Sequence, residues 1–184
     1  MKFVSIIMGS KSDYDVVSEA AKVLEKFNVP YELIISSAHR SPKRTSEYVA
    51  AAEEKGAQVF IAAAGMAAHL AGAIAANTTR PVIGIPMGGS ALSGVDALYS
   101  TVQMPSSNPK DVHALADLGN VDSLLIGDPE SVAIGKVGAV NAAYLALQIL
   151  ALNDLNLGDA LKADRAAKAK QVEEDSAKVE ILLA

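Results

Sequence analysis

The sequence predicts an α/β fold in which a central parallel sheet carries helices on both faces. The main observation is that short apolar segments alternate with longer segments of helical periodicity along most of the chain. The length of 184 residues fits one domain that is large enough to bury a sizeable core. Hydrophobic residues make up 51% of the chain and aromatic residues only 4%, which favours close packing of small aliphatic side chains.

The first half of the chain contains four predicted strands with helices between them. FVSIIM at 3–8 is a short apolar run typical of a strand that is covered on both faces. The helical pattern after it ends at Asn28 and Pro30, while Ser41 and Pro42 suit an N-cap and a first helical position. The other predicted elements are strands at 31–36, 58–64 and 81–86, helices at about 42–56 and 65–77, and a glycine-rich segment at 88–105 that becomes helical.

The segment at 106–131 has a less regular pattern. We expect a short helix at 109–118, because an asparagine and a proline open it and a glycine follows it. An extended piece is expected at 121–126, where the apolar run VDSLLI precedes a turn. His113 is interpreted as a surface residue.

The rest of the chain predicts a strand at 131–135, a helix at about 137–152 and a helical, charge-rich tail. The tail alternates alanine with charged residues, so we expect it to face solvent, with an apolar end that needs a partner surface. We therefore divide the chain into one α/β domain at 1–155, with 106–131 as an atypical insertion, and a C-terminal helical tail at 156–184.

Composition and charge narrow the classes of function. The formal net charge of -5 disfavours nucleic-acid binding. The chain has no cysteine, which excludes disulfides and thiolate chemistry. The pattern predicts neither a targeting leader nor a membrane span, so we expect a cytoplasmic protein without membrane partners.

Polar, glycine-bearing or histidine-bearing stretches follow each of the first three predicted strands. These stretches are MGSKSD, SSAHRSP and AAGMAAHL. In a parallel α/β sheet, ligands bind beyond the carboxyl ends of the strands. The sequence therefore predicts that a site lies where these three stretches meet.

The first two stretches contain groups suited to an anion and to proton transfer. Ser10 and Asp13 lie at a strand-to-helix turn, where N–H groups and hydroxyls favour an oxyanion and an aspartate can hold ribose hydroxyls. His39 can act as an acid or base near neutral pH, and Arg40 is a suitable clamp for phosphate. Each residue also has a purely structural interpretation. Ser10 or Ser12 could be a helix N-cap, His39 could be a loop histidine hydrogen-bonded to the backbone, and Arg40 could form a surface ion pair.

The third stretch combines a histidine with very small residues. His69 is predicted one turn into a helix, and its small neighbours would let a ligand approach the backbone closely. Helix packing is the alternative explanation for an alanine-rich segment. His39 and His69 could contact one metal ion, but the sequence offers no clear third ligand, so we predict no metal site.

Six segments together resemble the bacterial N5-carboxyaminoimidazole ribonucleotide mutase family of purine biosynthesis. They are IIMGSKSD, SAHRSP, AAGMAAHL, PVIGIP, ALSGVDALYSTVQMP and AIGKVGAVNAA, which cover about 3–105 and 132–152. The resemblance implies a flavodoxin-like three-layer α/β/α sandwich and a homo-octamer around a fourfold axis. It also implies that the C-terminal helix packs on a neighbouring subunit.

The resemblance implies a mutase that moves a carboxylate from the exocyclic nitrogen of the aminoimidazole to a ring carbon by decarboxylation and recarboxylation. No cofactor or metal takes part in the implied reaction. His39 would be the general acid and base. The implied substrate-binding residues are Ser10, Asp13 and Arg40 at the ribose 5'-phosphate end, and Ser37, Ala38, Ala64, Gly65, Ala67, His69 and Leu70 around the ring and carbon dioxide.

The sequence departs from the family pattern at two positions and in one segment. The family usually has glycine at the position of Met66 and proline at that of Ala71. The segment at 106–131 makes the loop roughly twenty residues longer than expected, and loops of this length are usually functional or independently structured. Substrate closure or oligomer geometry could therefore differ.

Two other functions remain as alternatives. A direct aminoimidazole ribonucleotide carboxylase is disfavoured by Arg40 and by the intact third stretch. A non-catalytic nucleotide-binding or assembly protein on the same scaffold would bind the nucleotide without turnover. A flavin carrier lacks the expected stacking aromatics, because the chain has no tryptophan.

Overall fold

The computed structural model describes residues 1–103 and 136–179. The predicted helix at 109–118, the extended piece at 121–126, His113 and the predicted strand at 131–135 all lie outside the described residues. The elements are β1 (Phe3–Met8), a 3-10 turn (Lys11–Asp13), α1 (Tyr14–Lys26), β2 (Tyr31–Ile35), α2 (Pro42–Lys55), β3 (Ala57–Gly65), α3 (Leu70–Ala75), β4 (Val82–Met87), α4 (Val95–Val102), α5 (Lys136–Ala151) and α6 (Leu155–Val179).

The strands of the described residues form one parallel sheet in the order β2-β1-β3-β4. The chain steps from β1 to one side and then crosses back to the other. Because crossovers between parallel strands are right-handed, this reversal places α1 on one face and α2 and α3 on the other. The predicted flavodoxin-like three-layer sandwich is confirmed.

The two faces of the sheet bury alternating side chains of the same strands. Phe3, Ile7 and Phe60 belong to one cluster with Val49 of α2 and Ile74 of α3. The intervening residues of β1 and β3 point to the opposite face and are also buried; they are Val4, Ile6, Val59 and Ile61. Burial on both faces explains why these strands are continuous apolar runs.

On the second face, α1 and the first part of α5 pack against each other. The rings of Phe27 and Tyr144 meet edge to face, with centroids 5.8 Å apart. Lys136 Nζ lies 4.0 Å from Glu19 Oε1 at the other end of this contact. The sheet is therefore covered on both sides by helices.

Two glycines occupy places where a side chain would not fit. Gly56 ends α2 with a left-handed φ of 111°, and a Cβ there would lie 2.8 Å from the Met1 carbonyl oxygen. A Cβ at Gly84 would collide with the γ-methyl of Thr101, because α4 packs closely on β4 at this point. Both positions follow the rule that glycine permits close approach of the backbone.

Helix α3 begins later than the sequence predicts. We expected a helix from Gly65, but α3 spans Leu70–Ala75. Met66 adopts a left-handed φ of 57°, and the amides of Ala68 and His69 donate to the carbonyls two residues before them, at 2.8 Å each. The tight turn is incompatible with a helix, although alanine favours one.

The contacts divide the chain into two units, 1–147 and 148–184. In the second unit, α6 is polar on most of its surface and starts at Leu155, close to the predicted start of the tail. Ion pairs one turn apart support it, such as Lys162 with Asp159 at 2.8 Å. Within the described residues, no helix has both the length and the apolarity needed to cross a bilayer.

A buried hydroxyl network joins β1, β2 and α2. Tyr48 OH donates to Glu32 Oε2 at 3.0 Å, so Ser5, which is fully buried, donates to Tyr48 OH at 3.0 Å. Lys55 Nζ pairs with Glu32 Oε1 at 3.2 Å. Burial raises the pKa of Tyr48 to about 12, and the bond to Glu32 adds to the rise.

The Tyr48→Phe variant should be less stable than the parent by about 1–3 kcal/mol, because Ser5 loses its buried partner. Urea unfolding at pH 7 measures the difference. The double variant Ser5→Ala/Tyr48→Phe, which removes both hydroxyls, should recover most of the loss. Equal stability of the parent and the single variant would contradict this account of the network.

The raised pKa of Tyr48 also predicts that the unfolding free energy falls at alkaline pH. The folded pKa of about 12 lies above the ordinary value of 10.0, so the contribution is complete below about pH 10 and is lost as pH rises through the folded pKa. Unfolding free energies of the parent should therefore fall more steeply than those of Tyr48→Phe between about pH 10 and 12. Parallel pH profiles would argue against this contribution.

Candidate active site

A cavity of about 890 Å³ opens at the carboxyl end of the sheet. The loops after all four strands line this cavity. Its volume lies within the range typical of small-molecule sites. Every predicted site residue contributes to its wall: Ser10, Asp13, Ser37, Ala38, His39, Arg40, Ala64, Gly65, Ala67, His69 and Leu70. The three stretches that the sequence analysis singled out therefore meet in one place.

The loop after β1 is a compact polar turn. The backbone N–H of Ser10 donates to Asp13 Oδ2 at 3.0 Å, and the Ser12 N–H donates to Ser10 Oγ at 3.3 Å. This capping box confirms the N-cap interpretation of Ser10. The Ser12 hydroxyl lies 2.9 Å from Ser10 Oγ and 3.3 Å from Asp13 Oδ1, so these two acceptors share its single proton.

Asp13 lies at the base of this turn. Burial raises the pKa of its carboxyl, while bonds from the Ser10 N–H and the Ser12 hydroxyl and the charge of Arg40 act in the opposite direction. An ionised carboxylate is thus held among donors at some cost to folding. This arrangement is suited to accepting hydrogen bonds from hydroxyls of a ligand.

Arg40 connects the loop after β2 to the loop after β1. Its Nη2 donates to the backbone carbonyl of Gly9 at 3.0 Å. The side chain is exposed within the cavity wall, so its remaining donors can reach an anion. Ser10 and Arg40 therefore form two sides of a polar corner.

Ser41 occupies the N-cap position of α2 and Pro42 is its first residue, as the sequence predicts. The Ser41 side chain makes no capping bond, however. Its hydroxyl instead donates to the Ser37 carbonyl at 3.1 Å and accepts the Ser37 N–H at 3.1 Å. The hydroxyl therefore fastens the loop that carries His39.

His39 and His69 face each other from two loops. Their ring centroids are 6.3 Å apart and the rings are inclined by 33°. His69 lies at the N-cap position of α3 rather than one turn into a helix, which corrects the prediction and makes the histidine a loop residue at the cavity. Within 1–103 and 136–179, no group of three histidine, cysteine or acidic side chains could hold a metal ion.

The wall formed after β3 is made of very small side chains. A Cβ on Gly65 would lie 3.4 Å from the Met87 Cβ, so a larger residue would press on β4. Ala64 and Ala67 continue the wall, and Met66 between them is 64% exposed. This side of the cavity is lined by small apolar side chains, in contrast to the corner at Ser10 and Arg40.

A sequence model of the AIR carboxylase family matches residues 3–121. The chain belongs to this family.

Curated relatives support the assignment over nearly the whole chain. The N5-carboxyaminoimidazole ribonucleotide mutase of Escherichia coli K12 is 46% identical over 172 residues, which cover 94% of this chain and 90% of that protein. The protein of the same description from Pyrococcus horikoshii is 45% identical over 177 residues, covering 96% of this chain and 88% of the relative.

A solved structure shares the fold of this family member. The crystal structure of Treponema denticola PurE superposes with a TM-score of 0.76 and covers 98% of this chain and 100% of the other, at 24% sequence identity. At this identity the likeness supports the fold alone.

The left-handed backbone of Met66 explains why glycine would suit this position, whereas nothing in the structure explains the methionine. Glycine, which the resemblance places at this position, adopts a φ of this sign without strain. Methionine at a φ of 57° carries a cost of about 1–2 kcal/mol.

Several further residues line the cavity of this family member but were not among the predicted site residues. Ser12 was predicted only as a possible helix cap and Met66 only as a departure from the family pattern. No cavity residue at the end of β4 was predicted. The same rule about carboxyl ends of strands points to the β4 residues. The additional lining residues are Gly9, Ser12, Val16, Met66, Met87, Gly88 and Gly89.

The Asp13→Asn variant should be slightly more stable than the parent at pH 7. The raised pKa means that this group's stabilising contribution is complete below its ordinary value of 3.8 and is lost as pH rises through the folded pKa. The amide keeps an acceptor for the Ser10 N–H. The gain should stay below about 1 kcal/mol, because the carboxyl is still partly solvated.

Urea unfolding at pH 7 and near pH 4 measures this effect, which should shrink at the lower pH. Asp15→Asn, a change at an exposed carboxylate in the first turn of α1, is the matched control and should not stabilise the protein. A clear loss of stability in Asp13→Asn at pH 7 would show that the ionised carboxylate stabilises the fold instead.

Proposed function

We propose that this chain is a mutase that converts N5-carboxyaminoimidazole ribonucleotide to 4-carboxy-5-aminoimidazole ribonucleotide. The observation that carries the proposal is a single cavity with a polar corner and a small apolar wall, with His39 and His69 facing each other in it. Its mutase relatives, which are 42–46% identical over most of the chain, make this the best-supported chemistry.

The polar corner is suited to the ribose phosphate. The Ser10 hydroxyl and the Arg40 guanidinium provide donors for phosphate oxygens. Asp13 accepts hydrogen bonds and suits the ribose hydroxyls. Ser37 and Ala38 precede His39 in the same loop and line the cavity, next to the position proposed for the ring.

His39 would transfer the proton at the other end of the nucleotide. It gives a proton to the exocyclic nitrogen as the carbon–nitrogen bond breaks and carbon dioxide forms. A ring carbon then attacks the carbon dioxide, and the neutral imidazole removes the proton from that carbon. The proton count balances, so one histidine serves both steps without a cofactor.

The small wall at Ala64, Gly65 and Ala67 would keep the carbon dioxide beside the ring, with His69 and Leu70 closing the same side. Retention of a small neutral molecule depends on proximity and on exclusion of water. The small apolar side chains of this wall favour both proximity to the ring and exclusion of water. Larger side chains at these positions would occupy the space that carbon dioxide needs.

We further propose that 1–155 is the catalytic domain of a cytoplasmic homo-octamer, in which the tail at 156–184 packs on a neighbouring subunit. In the first unit, exposed apolar side chains support an interface near the cavity. Leu92 is 63% exposed and Tyr99 is 54% exposed, just beyond Gly88 and Gly89 of the cavity wall. Contiguous exposed apolar side chains favour protein–protein contact.

The activity is tested by supplying either N5-carboxyaminoimidazole ribonucleotide alone or aminoimidazole ribonucleotide with bicarbonate. A mutase forms the carbon-carboxylated product from the first substrate at once. Product only from the second mixture would identify a direct carboxylase. Saturable nucleotide binding without product from either would identify a non-catalytic binding protein and overturn the proposal.

The His39→Asn variant should lose turnover by about 100-fold or more, because asparagine keeps hydrogen bonding but cannot move a proton. Nucleotide binding and thermal stability should stay close to those of the parent. Initial rates and calorimetric binding measure the two effects separately. Turnover within a few-fold of the parent would remove His39 from the proton-transfer role.

The Arg40→Ala variant should weaken binding of the nucleotide by about 30-fold, or about 2 kcal/mol, the scale of a lost charge-assisted hydrogen bond. The matching nucleoside, which has no phosphate, should bind both proteins about equally. Arg44→Ala is the control, because Arg44 is exposed and lies outside the cavity wall. Equal losses for nucleotide and nucleoside would contradict the phosphate role.

A further inference from the structure

A hydrogen bond between two buried hydroxyls lies at the base of the loop that carries His39 and Arg40. Ser36 at the end of β2 and Thr45 in the first turn of α2 are each 2% exposed. Their hydroxyl oxygens are 2.8 Å apart. The Ser36 N–H also donates to the Met8 carbonyl at 3.0 Å, so this point of the loop is tied to β1.

Proton counting gives the direction of these bonds. The Thr45 hydroxyl donates to the Ser41 carbonyl at 3.2 Å, which uses its only proton. The Ser36 hydroxyl must therefore donate to Thr45 Oγ1. These hydrogen bonds link Ser36 after β2, through Thr45 of α2, to Ser41 at the end of the loop.

The chain of hydrogen bonds continues from Ser41 to the backbone on both sides of His39. The Ser41 hydroxyl and N–H both donate to the Ser37 carbonyl, at 3.1 and 2.9 Å, and the same hydroxyl accepts the Ser37 N–H. The Ser37 hydroxyl accepts the Arg40 N–H at 3.2 Å. Residues 37 and 40 are thus joined directly across the two residues between them.

Packing alone does not require hydroxyls at these two buried positions. Valine has nearly the same shape as threonine, alanine differs from serine by one heavy atom, and neither carries the desolvation cost of a hydroxyl. A hydroxyl pair adds direction, because each bond constrains where the loop can lie. Direction matters here, since proton transfer needs heavy atoms within about 2.6–3.2 Å.

We infer that Ser36 and Thr45 are positioning residues that set His39 and Arg40 for proton transfer and phosphate binding. The inference rests on the proposed function of the cavity. Neither side chain lies in the cavity wall, so neither contacts the ligand directly. They act through Ser41 and the loop backbone.

The test uses Ser36→Ala, Thr45→Val, the double variant and the conservative Thr45→Ser. Thr45→Val leaves the Ser36 hydroxyl without its acceptor, and Ser36→Ala removes the donor to Thr45 Oγ1, so both single changes should lower stability. The double variant removes both hydroxyls, so its Tm should return to within about 2–3 °C of the parent. Ser5→Ala/Tyr48→Phe is the control, a second buried hydroxyl pair between the sheet and α2 that lies outside the cavity wall.

The expected result is that stability recovers in the double variant while turnover does not. We expect kcat to stay about tenfold below the parent, because small displacements of a reacting group are costly. Thr45→Ser should remain within about threefold of the parent, and the control double variant should keep parental kcat. Parental kcat in Ser36→Ala/Thr45→Val would overturn the inference.

Amide hydrogen exchange tests the positioning role independently of turnover. Exchange at Arg40 and Ser41 should be at least about tenfold faster in the double variant, while Val49 in the interior of α2 should be unchanged. Unchanged exchange at Arg40 and Ser41 would overturn the inference even if kcat falls. Absence of turnover in the parent would defeat the proposed function alone, and the exchange result would then decide the positioning role.

Discussion

The position of β1 between β2 and β3 is the constraint on which the rest of the structure depends. Met8 at the end of β1 is in register with Ile35 of β2 on one side and with Ala63 of β3 on the other. β1 and β2 therefore end at the same level, and β3 continues two residues further to Gly65. The loops that follow these strands converge over the reversal of strand order, which is where open α/β sheets bind ligands. The bond from Arg40 to the Gly9 carbonyl joins two of these loops directly, at 3.0 Å.

This convergence separates two kinds of chemistry within one cavity. The turn at Ser10 and Asp13 concentrates donors and one partly buried carboxylate, whereas the turn after β3 provides backbone and methyl groups. His39 lies on the loop between them and faces His69 across 6.3 Å. A ligand with a phosphate at one end and a flat ring at the other fits that division. In the proposed reaction the ring is neutral once carbon dioxide has left it, while both carboxylated nucleotides carry a carboxylate at the ring end.

The sequence allowed the four described strands, the three-layer architecture and the meeting of the three polar stretches in one cavity to be predicted, because each depends on local patterns and on a general rule for parallel sheets. It did not predict that His69 precedes α3, since an alanine-rich stretch favours a helix and only the tertiary structure holds Met66 in a left-handed turn. The bonds of Ser41 to Ser37 were also missed, because a serine before a proline predicts a cap equally well. Met87 was not predicted as a site residue, although the rule about carboxyl ends of strands points to the end of β4 as well.

A crystal structure of the protein with its product nucleotide tests the central claim most directly. The claim is that the cavity holds the nucleotide in one orientation, set by the two kinds of wall. The account predicts phosphate within hydrogen-bond distance of Ser10 and Arg40, with the aminoimidazole between His39 and the turn at 65–69. A nucleotide bound outside this cavity, or bound with its phosphate against the wall at Gly65, would contradict it.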